Sequence, residues 1–203
     1  MPLKEGRNTE IGRRIAAGFA LAALAVFGGA CAGAKRSEVT FHNPNMDFSQ
    51  IERVAVLPFT NLTSTQPAGE RVRDVFMTML QASGTFYVVP PGEVNRGVSR
   101  VRMQNPAQPS PDDVVAIGKE MKVQVLFTGT VREYGEVRSG STAANAVSVS
   151  LQMMETQTGQ VVWSASSTQG GVTAGDRLLG GKGTPMNEVT EKAVRDLLDK
   201  LFD

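Results

Sequence analysis

A chain of 203 residues with 21 Lys and Arg against 20 Asp and Glu has no basic excess with which to grip a nucleic acid. Its length suits one domain with a full hydrophobic core behind a short leader. A single cysteine, Cys31, excludes an internal disulfide, and with a single histidine, His42, it also removes the usual zinc sites and a Ser-His-Asp triad. Stability must come from packing.

The chain opens with a basic segment at Arg13 and Arg14, an apolar run over residues 15–27, and the small residues Gly28, Gly29 and Ala30 directly before Cys31. A charged start, a short apolar middle and a small-residue end make a secretory signal over residues 1–30, cleaved between Ala30 and Cys31. A signal that ends in small-small-Cys resembles the bacterial lipoprotein signal. That resemblance implies that the Cys31 thiol receives a diacylglycerol and becomes the mature N-terminus. Gly28 stands where that signal usually carries Leu. The alternatives are an uncleaved membrane anchor over residues 15–34, or ordinary cleavage leaving a free thiol. Both fit less well, because Gly and Ala fill the last third of the run. Removing residues 1–30 takes Lys4, Arg7, Arg13 and Arg14 away against Glu5 and Glu10, so the mature charge is about −1.

Residues 31–50 are polar and turn-rich and predict a lipidated N-terminus with a tether, although Phe41, Met46 and Phe48 could dock its second half on the domain. The domain itself spans 51–203. Arg53-Val-Ala-Val-Leu-Pro-Phe59 is apolar on both faces and predicts a buried strand stopped by Pro58. A helix over 67–83 follows, with Val72, Val75, Phe76, Met79 and Leu80 in one stripe and Gly84 in the left-handed closing position. Residues 85–89 predict a second strand, so strand–helix–strand reads as a parallel crossover. Residues 92–98 predict a short helix and 103–109 an irregular stretch. Ser110-Pro111-Asp112-Asp113 starts a helix to about Lys122, with a hydroxyl cap, Pro in the first turn and acids at the positive dipole end. Three strands come next: 125–131 and 147–153 alternate apolar with hydroxylated residues, and a hairpin turn at Gly159 leads into 160–167 with the only tryptophan, Trp163. One sheet face there is apolar and the other hydroxylated, which calls for solvent or a partner. A glycine-rich loop over 170–183 precedes a last helix from Thr184-Pro185, with Val189, Ala193, Val194, Leu197, Leu198 and Leu201 inward. The fold class is α/β, a three-layer-like sandwich on a mixed sheet in the order β-α-β-α-β-β-β-α.

Chemistry is sparse. His42 lies in the tether beside Asn43-Pro44 with no partner on a rigid element. Gly180-Gly181-Lys182-Gly183-Thr184 misses the phosphate-loop spacing, and Asp112-Asp113 are capping residues. Glu133 and Glu136 have opposite parity on a strand and do not converge without a bulge. A hydrolase built on carboxylates alone leaves no short motif and stands as a distant alternative. No catalytic, cofactor-binding or metal-binding residue is expected. Residues 132–146 are too short and too charged for a membrane-crossing hairpin.

Several stretches together resemble one group of bacterial outer-membrane lipoproteins. Arg53-Val-Ala-Val-Leu-Pro-Phe-Thr-Asn61 and Gly84-Thr-Phe-Tyr-Val-Val89 resemble the opening of the curli-secretion lipoproteins (CsgG-like). Gln124-Val-Leu-Phe-Thr-Gly-Thr-Val131 with Val149-Ser-Leu-Gln-Met-Met-Glu-Thr-Gln-Thr-Gly-Gln-Val-Val-Trp-Ser164 is shared with the activators of penicillin-binding proteins (LpoB-like) and with small neisserial-type surface lipoproteins. Arg177-Leu-Leu-Gly-Gly181 looks more like the curli-secretion branch. The resemblance implies a non-enzymatic lipoprotein without cofactors, held by its lipid in the inner leaflet of the outer membrane and facing the periplasm. It would associate with itself or with a periplasmic or outer-membrane protein. The short tether favours an envelope assembly or export component; the alternative is a regulatory lipoprotein that activates a peptidoglycan synthase.

Overall fold

Seven strands pair into one mixed sheet: β1 (Thr40–His42), β2 (Arg53–Val56), β3 (Thr60–Asn61), β4 (Tyr87–Val88), β5 (Val125–Ser139), β6 (Thr142–Glu155) and β7 (Val161–Gly170). Among the described residues four α-helices accompany them: α1 (Ala68–Ala82), α2 (Pro91–Val101), α3 (Pro111–Met121) and α4 (Met186–Phe202). This is a computed structural model, and it describes residues 40–172 and 183–203, which lie in one compact unit, Glu38–Asp203. The strand order is β1-β7-β6-β5-β2-β4, with β3 beside β5. β2 is parallel to β4 and β5, while β5, β6, β7 and β1 run antiparallel in turn.

β2 is buried on both faces, and this is why it reads as a continuous apolar run. Val54 and Val56 join the core beneath α1 and α4, where Val72, Phe76, Leu80, Val189, Val194 and Leu197 meet Phe127, Leu151 and Trp163. Ala55 and Leu57 face the other way, onto α2 and α3, with Val94, Val114, Ile117, Leu126 and Met154. The sheet is therefore covered on both faces over β2 and β5. Over β6 and β7 that cover ends at Met154 and Val161, and none of the described helices covers the rest of their second face.

The parallel crossover from β2 through α1 to β4 is present, and α1 gives way at Gly84 with φ +68°. β4 is shorter than the five residues expected, because Pro90 and Pro91 remove the next donors and start α2 instead. α2 runs longer than expected, over Pro91–Val101, ending on Arg102 in the left-handed conformation. α3 carries the anticipated cap: the Asp113 amide donates to Ser110 Oγ at 3.2 Å, and the Ser110 amide donates to Asp113 Oδ2 at 3.0 Å. Gly159 has φ +72° and sits against the backbone of Pro111, so the turn needs glycine for conformation and for space.

Two expectations are corrected. β5 and β6 continue well past the apolar alternation, as a ladder from Val125↔Glu155 to Ser139↔Thr142. Beyond a bulge at Val131/Glu133 this hairpin is flanked by no third strand over most of its outer part, where β5 is largely exposed and burial is confined to Ala144, Ala146 and Val147 of β6, so an apolar alternation no longer marks β5. Residues 40–50, expected as tether, are part of the folded unit. β1 pairs with β7, with Thr40 opposite Ala165 and His42 opposite Trp163, and Met46 and Phe48 pack on the core. A single 3-10 turn, Phe48–Gln50, follows. Its Asp47 cap accepts from the Ser49 hydroxyl at 2.6 Å and amide at 3.0 Å, which together hold the exposed carboxyl below its usual pKa.

Candidate functional site

Two surfaces of the described domain carry features that packing alone does not require. The first is the uncovered face of the sheet. Register places Phe41, Ser164, Gln152 and Thr128 in one transverse row across β1, β7, β6 and β5. Ser166, Ser150, Thr130 and, on β3, Thr60 make the next row. Thr168, Ser148 and Glu133 make a third, in which the Ser148 and Thr168 hydroxyls bond each other at 3.0 Å. The first two rows contain hydroxyl and amide side chains, one aromatic ring and no charge.

Where these rows reach β5, the 107–109 segment between α2 and α3 rises as a wall, tied down by the Thr60 hydroxyl, which donates to the Ala107 carbonyl at 3.3 Å. Sheet and wall enclose a cleft of about 290 Å³, with Thr128, Thr130, Ser150, Gln152 and Met154 on the sheet side and Arg132 at one end. Among the described residues no carboxylate lines it. Thr128 is only 7% exposed, and its hydroxyl has no hydrogen-bond partner among the described residues. Ser150 Oγ is itself buried and has no partner among the described residues.

The second surface is the loop after β3. Asn61 organises it: its amide nitrogen donates to the carbonyls of Thr65 at 2.8 Å and Gln66 at 2.9 Å, and its Oδ1 accepts from the Thr63 amide and hydroxyl. The Thr65 hydroxyl ties the loop to the Tyr134 carbonyl at 3.1 Å. Leu62 is fixed through its own amide, which donates to the Val131 carbonyl at 2.9 Å, yet its residue is 65% exposed. A rigid backbone therefore presents a large apolar side chain to solvent. Exposed Val137 lies on the neighbouring hairpin, and an open depression separates 63–65 from 132–137.

The residues singled out from sequence are distributed differently. Ala30, Cys31 and the 173–182 portion of the glycine-rich loop lie outside the described residues. His42 is not a linker residue: it ends β1, with its ring 6.0 Å from Phe48 and 6.4 Å from Trp163 in edge-on contacts. Asp112 and Asp113 stand in the first turn of α3, and Asp113 is engaged by Ser110. The bulge near Glu133 falls before both Glu133 and Glu136 and leaves their relative parity as it was. Among the described residues no group of His, Cys, Asp and Glu could hold a metal ion, and no helix is long and apolar enough to cross a membrane. Leu62 and the 107–109 wall are not singled out by sequence patterning. The one available signal for Leu62 is its isolation in an otherwise polar loop.

A family model described as peptidoglycan-synthase activator LpoB matches residues 37–168. No curated protein matches the chain. Among solved structures, the PelC dodecamer from Paraburkholderia phytofirmans is 18% identical, with a TM-score of 0.54, covering 81% of this chain and 96% of that one. Lipoprotein GNA1162 from Neisseria meningitidis is 18% identical, with a TM-score of 0.50, covering 73% of this chain and 99% of that one. The LpoB C-terminal domain from Escherichia coli is 15% identical, with a TM-score of 0.46, covering 61% and 86%. At these identities the likenesses speak for the fold alone.

Proposed function

The chain belongs to the peptidoglycan-synthase activator LpoB family, and on that footing we propose that it is a regulatory lipoprotein of the cell envelope that docks on a peptidoglycan synthase and raises its activity. The observation that carries this reading is the family match, which spans β1 to most of β7. It supports the activator half of the sequence resemblance. The export-component reading, which the curli-secretion resemblance favoured, finds no support there, and the preference drawn from a short tether gives way to it. The protein acts on an enzyme and is not one itself. Cys31 holds it by lipid to the periplasmic face of the outer membrane.

Leu62 is the docking anchor we assign to the synthase. Its backbone is already immobilised by the Val131 carbonyl and the Asn61 network, so seating the side chain in a partner's pocket costs little further ordering. The test is reconstitution of the lipidated chain with a bifunctional peptidoglycan synthase from the same cell, following glycan polymerisation. Stimulation that saturates with the chain, and that Leu62→Asp weakens by roughly tenfold or more in affinity without lowering the melting temperature, is the expected result. A synthase whose rate the chain does not change overturns the assignment.

A further inference from the structure

We propose that the hydroxyl-lined cleft between β5, β6 and the 107–109 wall, with the row leading from it to Phe41, is a binding site for an extended oligosaccharide. This goes beyond the activator reading and involves a different surface from Leu62.

The cleft's chemistry selects its ligand. Thr128, Thr130, Ser150 and Gln152 present neutral groups that both donate and accept, the complement of a sugar's hydroxyls and acetamido groups. One of these hydroxyls, Ser150 Oγ, is buried with no partner among the described residues, and that of Thr128, a residue only 7% exposed, makes no hydrogen bond among them either. Buried unpaired polar groups are uncommon because each costs stability, and those that persist call for a ligand or an ordered water. Met154 and Pro109 add apolar surface for the C–H face of a ring. A protein partner fits less well, since interface cores are enriched in aromatic residues, Met and Arg and depleted in Ser. A nucleic acid fits worse, because among the described residues Arg132 is the one cation in the lining.

The site is extended. Neighbouring strands lie about 4.8 Å apart, so the row from Thr128 through Gln152 and Ser164 to Phe41 spans about 14 Å. That exceeds a single sugar ring. Phe41 is 46% exposed and is paired with Ser164, so its ring borders the far end of the row as a stacking surface. At the near end Arg132, carried on the β5 bulge, suits a carboxylate borne by the glycan.

The experiment uses the full chain, isotope-labelled in detergent micelles, titrated with chitotetraose and with N-acetylglucosaminyl-N-acetylmuramic acid, whose lactyl carboxylate is free. Saturable amide shifts at Thr128, Thr130, Ser150 and Gln152 are expected with both, and tighter binding with the acidic sugar. Thr128→Val combined with Ser150→Ala should keep or raise the melting temperature while weakening both sugars about tenfold or more, the loss for two hydrogen bonds left unmade. Arg132→Gln should abolish the preference for the acidic sugar and spare chitotetraose. Absence of saturable shifts with either sugar overturns the proposal, as does a double variant that binds like the parent. Protection of the same amides by the purified synthase, with no response to sugar, overturns it in favour of a protein surface and leaves the activator reading standing. If Arg132→Gln weakens both sugars alike, the carboxylate assignment falls.

Discussion

The indole N–H of Trp163 donates to the carbonyl oxygen of Lys200, 3.3 Å away, and joins the centre of β7 to the last turn of α4. That carbonyl is one of the terminal ones that a helix cannot satisfy internally, so the tryptophan fills the core and also closes the helix end. Lys200 reinforces the joint from the other side, with Nζ 3.1 Å from the Ser166 carbonyl and 2.8 Å from Asp196.

Because Trp163 is 0% exposed, Trp163→Ala should cost about 3–5 kcal/mol of unfolding free energy, measured by denaturant titration. Trp163→Phe should cost less but lose the bond to Lys200, a further ~1 kcal/mol beyond the change in volume. An alanine variant as stable as the parent would show that the ring is not the core anchor.

Gly118 is held to hydrogen by Thr156. A methyl group on Gly118 would overlap the Thr156 side chain, and Thr156 cannot rotate away cheaply, since its hydroxyl donates to the Val123 carbonyl at 2.6 Å and lies 2.9 Å from that of Gln124. Although alanine is the better helix former, Gly118→Ala should therefore destabilise the domain, by about 1–3 kcal/mol. A melting temperature equal to or above the parent's would refute the clash.

The cap of α3 should behave as a reciprocal pair. Ser110→Ala and Asp113→Ala should each lower stability by about 1 kcal/mol. The double variant should lose less than the sum, because each side chain bonds the other's amide and the two bond one another at 2.8 Å. Fully additive losses in a double-mutant cycle would mean the box contributes nothing as a unit.

Cys31→Ser should move the protein from the membrane pellet to the soluble periplasmic fraction with its thermal unfolding unchanged. Stable anchoring needs more than one acyl chain, and on the proposed reading all of them are carried by Cys31, so its replacement removes the whole attachment. A folded Cys31→Ser protein that still sediments with membranes would rule the lipid anchor out.

Elements whose signals are local can be read from the chain alone. The stripe from Val72 to Leu80, the Ser110 cap, the positive φ at Gly159 and the hydroxyl alternation of β6 are each set by neighbours within a few positions, and all are present in the fold. The sequence also marked one sheet face as wet, which is the face that carries the cleft. Tertiary structure decided what depends on partners far along the chain. Thr40–His42 becomes a strand only because the edge of β7, more than a hundred residues later, offers it a ladder. The outer half of the β5–β6 hairpin is strand by pairing, not by apolar pattern. The cleft exists because Thr60 holds the Ala107 carbonyl and so sets a wall over Thr128 and Ser150, groups with no relation in sequence spacing. Leu62 is held out to solvent because Val131 and Asn61 fix its backbone at the end of the sheet. Short-range periodicity encodes which face of an element is apolar. Which faces are then covered, and which polar groups are left facing a cleft, is settled by loop closure and strand pairing between distant segments.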